Sequence, residues 1–164
     1  MKQIDAIEKK IYTLPQLLAA LKGWRVTCKT IAFSNGCFDI LHEGHISSLS
    51  EAAKEADILI IGVNSDASTK RLKGNERPIN NEHSRALLLA SLAIVDAVVI
   101  FEEDTPLTLI SAILPDVIVK GGDYTIEQIV GAKEVIDNGG RVVINKIVDG
   151  FSTTGIIAKI RKLG

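Results

Sequence analysis

The chain has 164 residues, of which 46% are hydrophobic and 24% charged, which is enough apolar material for one globular domain with a buried core. Its net charge of −1 at pH 7 excludes a nucleic-acid binder that depends on overall positive charge. Two lone cysteines do not make a disulfide framework, and no apolar run approaches the length of a membrane span. Together with an N-terminus that lacks the apolar core of a signal peptide, these features predict a cytoplasmic protein that binds neither nucleic acid nor membrane.

Residues 1–27 are predicted to form a helical extension, and residues 28–164 to form the main domain. The extension contains a helix start at Thr13, with Pro15 in the first turn, and a helix stop at Gly23. Its apolar stripe consists of Leu14, Leu17, Leu18 and Leu21. We expect this helix to pack on the outside of the domain, and a contact between two copies of the chain is the alternative.

The main domain begins with a predicted strand at 30–33, which ends at an Asn-Gly turn before an amphipathic helix. His42 and His45 stand where that helix starts. Backbone N–H groups at a helix start are unpaired and attract an anion, and Gly44 lets the anion approach without a Cβ in the way. The pattern therefore predicts a phosphate site with two imidazoles as hydrogen-bond donors.

The two histidines also fit two other kinds of site. A His-x-x-His pair also binds zinc, but the two cysteines are not placed to complete a closed zinc site. Either histidine also fits as a helix-end residue whose ring is satisfied by the backbone.

Four more strands are predicted at 58–63, 97–101, 116–119 and 141–144. Their alternation with helices predicts an α/β fold with a doubly wound, five-stranded parallel sheet. Ligands collect at the carboxyl ends of such strands, where Asn64 and Asp66 follow the second strand and Lys120 ends the fourth. Asp66 as the cap of the following helix is an equally open alternative.

Two further segments contain groups suited to phosphate. The basic segment 70–78, which includes Lys73 and Arg77, is interpreted as a mobile loop that grips phosphate, with a solvated charge run as the alternative. Near the C-terminus, Ser152 or Thr153 is predicted to cap the last helix. Because the N–H groups of that helix start also suit a phosphate, capping alone and capping with phosphate binding are both open.

The motif Gly36-Cys37-Phe38-Asp39 followed by His42-Glu43-Gly44-His45 resembles the HxGH signature of the nucleotidyltransferase superfamily. Further segments, in family order, resemble the adenylyltransferase half of bacterial ADP-heptose synthases. These segments are 62–66, 72–74, 77–78, 95–96, 115–117, 119–124 and 150–154. The resemblance implies a Rossmann-like fold with the strand order 3-2-1-4-5.

The same resemblance implies transfer of AMP from ATP to D-glycero-β-D-manno-heptose 1-phosphate, which yields pyrophosphate and ADP-heptose for the lipopolysaccharide core. Mg²⁺ is implied as the companion of ATP. Because this half is often fused to a sugar kinase in that family, the chain is expected to depend on a separate heptose kinase, and a homodimer is left open. Related glycerol-phosphate cytidylyltransferases carry an Arg-Thr-x-Gly-Ile-Ser-Thr-Thr motif, whereas segment 147–154 here has no Arg, which favours ATP over CTP.

The strand-end pattern and the resemblance together imply roles for individual residues. The catalytic groups are His42, His45 and Lys120. The groups that bind nucleotide or sugar phosphate are Phe38, Asp39, Gly44, Asn64, Asp66, Lys73, Arg77, Arg85, Gly122, Asp123, Ser152 and Thr153, and Asp39 is also the candidate metal ligand. The alternatives are a cytidylyltransferase acting on glycerol 3-phosphate or another small phosphate, and a non-catalytic nucleotide-binding or dimerisation module.

Overall fold

The computed structural model of the protein describes residues 5–146 and 150–163, so the first three residues of segment 147–154 lie outside the described residues. The helices are α1 (Asp5–Glu8), α2 (Leu14–Val26), α3 (Glu43–Ala53), α4 (Asp66–Lys73), α5 (Glu82–Ala90), α6 (Leu107–Ile113), α7 (Ala132–Asp137) and α8 (Thr153–Arg161). The strands are β1 (Ile11–Tyr12), β2 (Ile31–Gly36), β3 (Ile58–Asn64), β4 (Ala97–Phe101), β5 (Val117–Gly121) and β6 (Arg141–Asn145). None of the described helices is long and apolar enough to cross a membrane.

The strands form one parallel sheet of six in the order β1-β4-β3-β2-β5-β6, so the expectation of five strands was wrong. The five expected strands keep their relative places, and β1 is added at the edge beside β4. Ile11 pairs with Val98 and Tyr12 with Val99. A strand of two residues is too short to produce a recognisable alternation of apolar and polar side chains, so only its tertiary partner identifies it.

Side chains alternate between the two faces of the sheet, and helices cover both faces. Ile31 and Phe33 of β2 join the core beneath α2, α6 and α7, whereas Ala32 joins the core beneath α3 and α5. Burial on both faces explains why the strands are continuous apolar runs rather than alternating ones. The α/β doubly wound class is therefore confirmed.

Helix α2 packs on the outside of the sheet, as predicted, and its inner face belongs to the core. Leu17 is fully buried and Leu21 is 4% exposed, both within the same cluster as β2. Burying a leucine stabilises a fold by about 1.5–3 kcal/mol, so this stripe is a core face and the proposed contact between two copies through it is wrong. The helix also continues past Gly23 to Val26, because a single glycine weakens a helix without having to end it.

The order of the strands creates a crevice at the carboxyl end of β2. Its two neighbours are β3 on one side and β5 on the other. Helix α3, which follows β2, packs on one face of the sheet, whereas α7, which follows β5, packs on the opposite face. Chains that leave neighbouring strands toward opposite faces leave an open space between them, which is where ligands bind in sheets of this type.

Candidate active site

A cavity of about 610 Å³ occupies this crevice. Ten of the predicted site residues line it, namely Phe38, Asp39, His42, His45, Asn64, Lys73, Arg77, Lys120, Ser152 and Thr153. A smaller cavity of about 270 Å³ shares the wall formed by His42, His45 and Lys120, and Gly44 lines it. The three residues predicted to be catalytic therefore lie at the wall common to both cavities.

The two histidines lie against each other at the start of α3. His42 is the capping residue of that helix in extended backbone conformation, and His45 follows within the first turn. Their ring centroids are 3.8 Å apart with an angle of 22° between the ring planes. Phe38 lies 5.4 Å from the ring of His45, and Phe151 lies 6.4 Å from that of His42. Four rings are thus packed together, which restricts where each imidazole can point.

Both imidazoles are neutral at physiological pH. Burial, with a smaller contribution from the nearby His42, lowers the pKa of His45 to about 4. Burial also lowers the pKa of His42. A neutral imidazole has one N–H donor and one acceptor nitrogen.

The buried Nδ1 atoms of His42 and His45 have no hydrogen-bond partner among the described residues. A buried polar atom left unpaired costs about 1–3 kcal/mol, so most such atoms in native proteins are paired. Two of them side by side, within a cavity wall, indicate a site that a polar ligand completes. Gly44 is needed beside them, because a Cβ there would lie 3.2 Å from the His42 ring and from Phe151.

Lys120 lies near the carboxyl end of β5, one residue before its end, and its ammonium group contacts β2. Its Nζ donates to the side-chain oxygen of Asn35 at 2.9 Å and to the main-chain carbonyl of Asn35 at 3.3 Å. Burial lowers the pKa of Lys120, and the neighbouring Cys37 acts in the opposite direction. No ion pair of Lys120 occurs within residues 5–146 and 150–163. The lysine therefore offers a positive charge to the cavity.

Asp39 is enclosed by the chain that follows α4. Its side chain is 1% exposed and accepts hydrogen bonds from the backbone N–H groups of Ile79 at 2.7 Å and Asn80 at 2.9 Å. Its other oxygen accepts from the guanidinium of Arg77. Both oxygens are thus engaged by protein donors, so Asp39 fixes loop 74–80 beside the cavity, and its role as a metal ligand stays a prediction.

Arg85 and Asp66 are placed together, but away from the cavity. Arg85 is fully buried, donates to the carbonyl oxygens of Cys37 at 2.5 Å and Asn80 at 3.0 Å, and pairs with Asp66 at 2.8 Å. The cap of α4 is Ser65, whose hydroxyl accepts from the N–H of Ser68 at 3.1 Å. These contacts assign Arg85 to cross-linking the loops around the motif rather than to the cavity wall.

The basic segment 70–78 is split between a helix and a loop. Residues up to Lys73 belong to α4, which ends at Gly74 with a φ of +98°. Lys73 and Arg77 line the larger cavity, while Lys70 is exposed on the helix. The interpretation of the whole segment as a loop was therefore wrong for its first four residues, because α4 extends further than the charge pattern indicated.

The start of α8 closes another side of the cavity. Ser152 caps the helix, and its hydroxyl accepts from the N–H of Gly155 at 3.0 Å. The hydroxyl of Thr153 donates to the carbonyl of Ile40 at 3.4 Å. By contrast, Gly122, with a φ of +134°, and the exposed Asp123 do not line either cavity.

Sequence reasoning missed several residues of the cavity wall. They include Asn35, Asp104, Thr105, Tyr124, Gln128 and Phe151. Asn35 was assigned only to a turn, although its position at the end of a central strand was a usable signal. The others lie after β4, after β5 and before α8, and no local pattern shows that these loops converge.

The cytidylyltransferase-like family matches residues 33–159. The chain is 58% identical over 139 residues to the bifunctional protein HldE of Mesorhizobium japonicum, which covers 85% of this chain and 28% of that protein. It is 51% identical to the bifunctional protein HldE of Koribacter versatilis, covering 96% of this chain and 32% of that protein. The chain thus spans about a third of the length of these relatives.

Two solved structures share the fold. The lipopolysaccharide core biosynthesis protein of Thermoplasma volcanium is 32% identical with a TM-score of 0.58, covering 73% of this chain and 97% of that one. Pantoate-beta-alanine ligase of Francisella tularensis, solved with an ATP analogue and beta-alanine, is 14% identical with a TM-score of 0.61, covering 92% of this chain and 76% of that one. The latter supports the fold alone. The motif of two stacked histidines, the crevice that holds them and these relatives together show that the chain belongs to the cytidylyltransferase-like family of nucleotidyltransferases.

Proposed function

We propose that the protein is an adenylyltransferase that transfers AMP from ATP to a sugar 1-phosphate and releases pyrophosphate. The observation that carries this proposal is the stacked, neutral pair His42 and His45 beside the ammonium of Lys120. These groups supply hydrogen-bond donors and one positive charge at a single wall. Such an arrangement suits a phosphate on which negative charge increases during attack.

The reaction we propose is in-line attack by an oxygen of the sugar phosphate on the α-phosphorus of ATP. The attacking phosphate is already an anion at neutral pH, because its second ionisation lies near pH ~6. It needs no general base, and the neutral imidazoles act as donors rather than as proton acceptors. Positioning and charge stabilisation therefore account for the rate. Lys73 and Arg77, on the rim of the cavity, and the start of α8 are proposed to bind the remaining phosphate oxygens.

Mg²⁺ is proposed to enter with ATP. The described residues contain no group of three or more His, Cys, Asp or Glu side chains placed to hold a metal ion. Both oxygens of Asp39, the candidate ligand, already accept from protein donors. Mg²⁺ keeps several waters and binds through substrate phosphates when protein ligands are few, which fits this donor set. When bound, it supplies positive charge to the phosphate oxygens, and Asp39 positions Arg77.

The sugar proposed is D-glycero-β-D-manno-heptose 1-phosphate. Support comes from relatives named HldE at 48–58% identity and from a similar structure named as a lipopolysaccharide core biosynthesis protein. Since those relatives are named as bifunctional and this chain spans about a third of them, we further propose that a heptose kinase activity supplies the sugar phosphate. A cytoplasmic location completes the proposal.

The test is pyrophosphate release from ATP or CTP with a panel of sugar 1-phosphates and glycerol 3-phosphate. We expect ATP to be preferred over CTP by at least about tenfold in kcat/KM, a difference of roughly 1.4 kcal/mol. Equal kcat/KM values for the two nucleotides would contradict the adenylyltransferase assignment. Preference for CTP with glycerol 3-phosphate would support the cytidylyltransferase alternative, and nucleotide binding without turnover would support a non-catalytic module.

A further inference from the structure

Asn35 and Lys120 lie side by side at the ends of two central strands. The register of β2 with β5 pairs Ala32 with Val117 and Phe33 with Ile118, so continuing it by two residues brings Asn35 beside Lys120. The Nζ of Lys120 donates to the Oδ1 of Asn35 at 2.9 Å and to its main-chain oxygen at 3.3 Å. One residue thus supplies both acceptors and fixes the direction of the ammonium group.

Neither of these acceptors carries a charge. Two arginines nearby differ from it, since Arg77 on the cavity wall pairs with Asp39, and Arg85 behind the wall pairs with Asp66. Lys120 has no such partner among the described residues, although it is half-buried and burial lowers its pKa. Burying a charge without a counter-charge is unfavourable, and an arriving anion removes much of that cost. The arrangement therefore suits a lysine kept ready for an anionic ligand.

We propose that Asn35 is a positioning residue that holds the Lys120 ammonium on the wall shared by the two cavities and, being neutral, leaves its charge available to a phosphate. This inference rests on the proposed function for the identity of that phosphate as part of a nucleotide. An aspartate at position 35 would hold the lysine equally well but would cancel its charge. A leucine would fill the space but would remove the shorter hydrogen bond and leave the ammonium only the main-chain oxygen of residue 35.

The consequence is a pH dependence with opposite signs in the two variants. The titratable or charged groups that line the same cavities are Cys37, Asp39, His42, His45, Lys73, Arg77, Asp104, Tyr124 and Lys146. Burial already lowers the pKa of Lys120. Asn35→Leu removes the side-chain hydrogen bond to the charged form and lowers the pKa of Lys120 further, whereas Asn35→Asp adds a negative charge and raises it. The pH above which anion binding is lost should therefore be lower in Asn35→Leu and higher in Asn35→Asp than in the wild type.

The experiment measures binding of pyrophosphate and of ATP by calorimetry from pH 6.5 to 9.5. The proteins are the wild type, Asn35→Leu, Asn35→Asp, Lys120→Met and the two double variants, all repeated with Cys37→Ser so that its thiol does not contribute. Asn138→Leu, at an exposed asparagine, is the matched control. We expect Asn35→Leu to weaken pyrophosphate binding at pH 8 by roughly tenfold, the usual range for a hydrogen bond to a charged group. In the Lys120→Met background, the same change should have almost no effect.

Three outcomes overturn the proposal. They are an equal loss from Asn35→Leu with and without Lys120, pH limits that move in the same direction in both Asn35 variants, and pyrophosphate binding that is unchanged in Lys120→Met. Asn35→Asp keeps the shape of the side chain, so it tests the idea even if the leucine variant fails to fold. If pyrophosphate binds with the expected coupling between Asn35 and Lys120 but no nucleotide is turned over, the proposed function is contradicted and this inference is still supported.

Discussion

The positively charged and hydrogen-bonding groups around the cavity fall into two regions that differ in their partners. At the strand ends and the start of α3, His42, His45 and Lys120 have no carboxylate partner among the described residues. Around the motif, Arg77 in the loop after α4 and Arg85 in α5 pair with the carboxylates of Asp39 and Asp66. The first region keeps its capacity for a ligand, whereas the second uses its charges to hold the chain in place.

This difference shows that charge type alone does not identify a binding residue. Asp39 and Arg85 stand within or near the motif and carry suitable charges, yet each is buried and fully engaged by the protein. A buried charge that is paired contributes to specific structure, and removing its partner is costly. Substitutions in the first region should therefore change activity, whereas substitution of Arg85, which lies away from the cavity, should change stability.

The largest effect is expected at the histidines. His42→Ala or His45→Ala should lower kcat by on the order of 10²–10³-fold, because each removes a donor aimed at developing charge. Asn at either position keeps a donor and should restore part of the loss. The measurement is steady-state pyrophosphate release with the four single variants, alongside chemical denaturation, which should show little change.

The pH dependence sharpens this prediction. The pKa of His45 is about 4 in the folded protein and 6.5 as its ordinary value. Between pH 4 and pH 6.5, His45 binds a proton in the unfolded chain but not in the folded protein. The free energy of unfolding should therefore fall as the pH falls from 6.5 toward 4. This decline should be shallower in His45→Asn. Activity should remain flat from pH 6.5 to 8, and a steep fall there, with Asn no better than Ala, would mean that a charged imidazolium is required.

Arg85→Met should lower the free energy of unfolding by about 3 kcal/mol, because Asp66 and two carbonyl oxygens lose a buried partner. Arg71→Met is the control, since Arg71 and Asp104 form an ion pair whose side chains are 49% and 51% exposed. It should cost about 1 kcal/mol or less. Urea denaturation measures both values. A stable Arg85→Met protein with a greatly raised KM for ATP would instead place Arg85 in the binding site.

Lys120→Ala should lower kcat/KM by roughly 10²-fold, because it removes a positioned cation next to the reacting phosphate. Lys70→Ala provides the contrast, since Lys70 is exposed on α4 and lies outside the two cavities. Its kcat/KM should stay within about twofold of the wild type, as for ordinary surface substitutions. Similar losses in the two variants would show that the end of β5 does not supply a catalytic cation.

The smallest effect is expected at Ser152. Ser152→Ala removes the cap of α8 and should cost about 1 kcal/mol of stability while raising the KM for ATP. Asn81→Ala is the matched control, because Asn81 caps α5 through a 2.8 Å hydrogen bond to the N–H of Ser84 and lies outside both cavities. It should cost similar stability with unchanged KM. If the KM for ATP is the same in both variants, Ser152 has only the structural role of a helix cap.

Much of this protein follows from its sequence alone. The continuous apolar runs of β2 to β5 and the helical spacing between them indicate a parallel sheet covered on both faces, because each element must bury its own apolar side. The spacing of His42, Gly44 and His45 at a helix start likewise indicates an anion site, because the unpaired N–H groups of that turn are local.

The tertiary structure decided what depends on contacts between distant residues. Strand β1 exists only because Ile11 and Tyr12 meet the edge of β4, and the stripe of α2 is a core face only because the sheet covers it. Asn35 and Lys120 are 85 residues apart in the chain, and parallel pairing of β2 with β5 makes them neighbours. Which charges remain available for a ligand likewise depends on the acceptors that folding places beside each of them, and no local pattern contains that information.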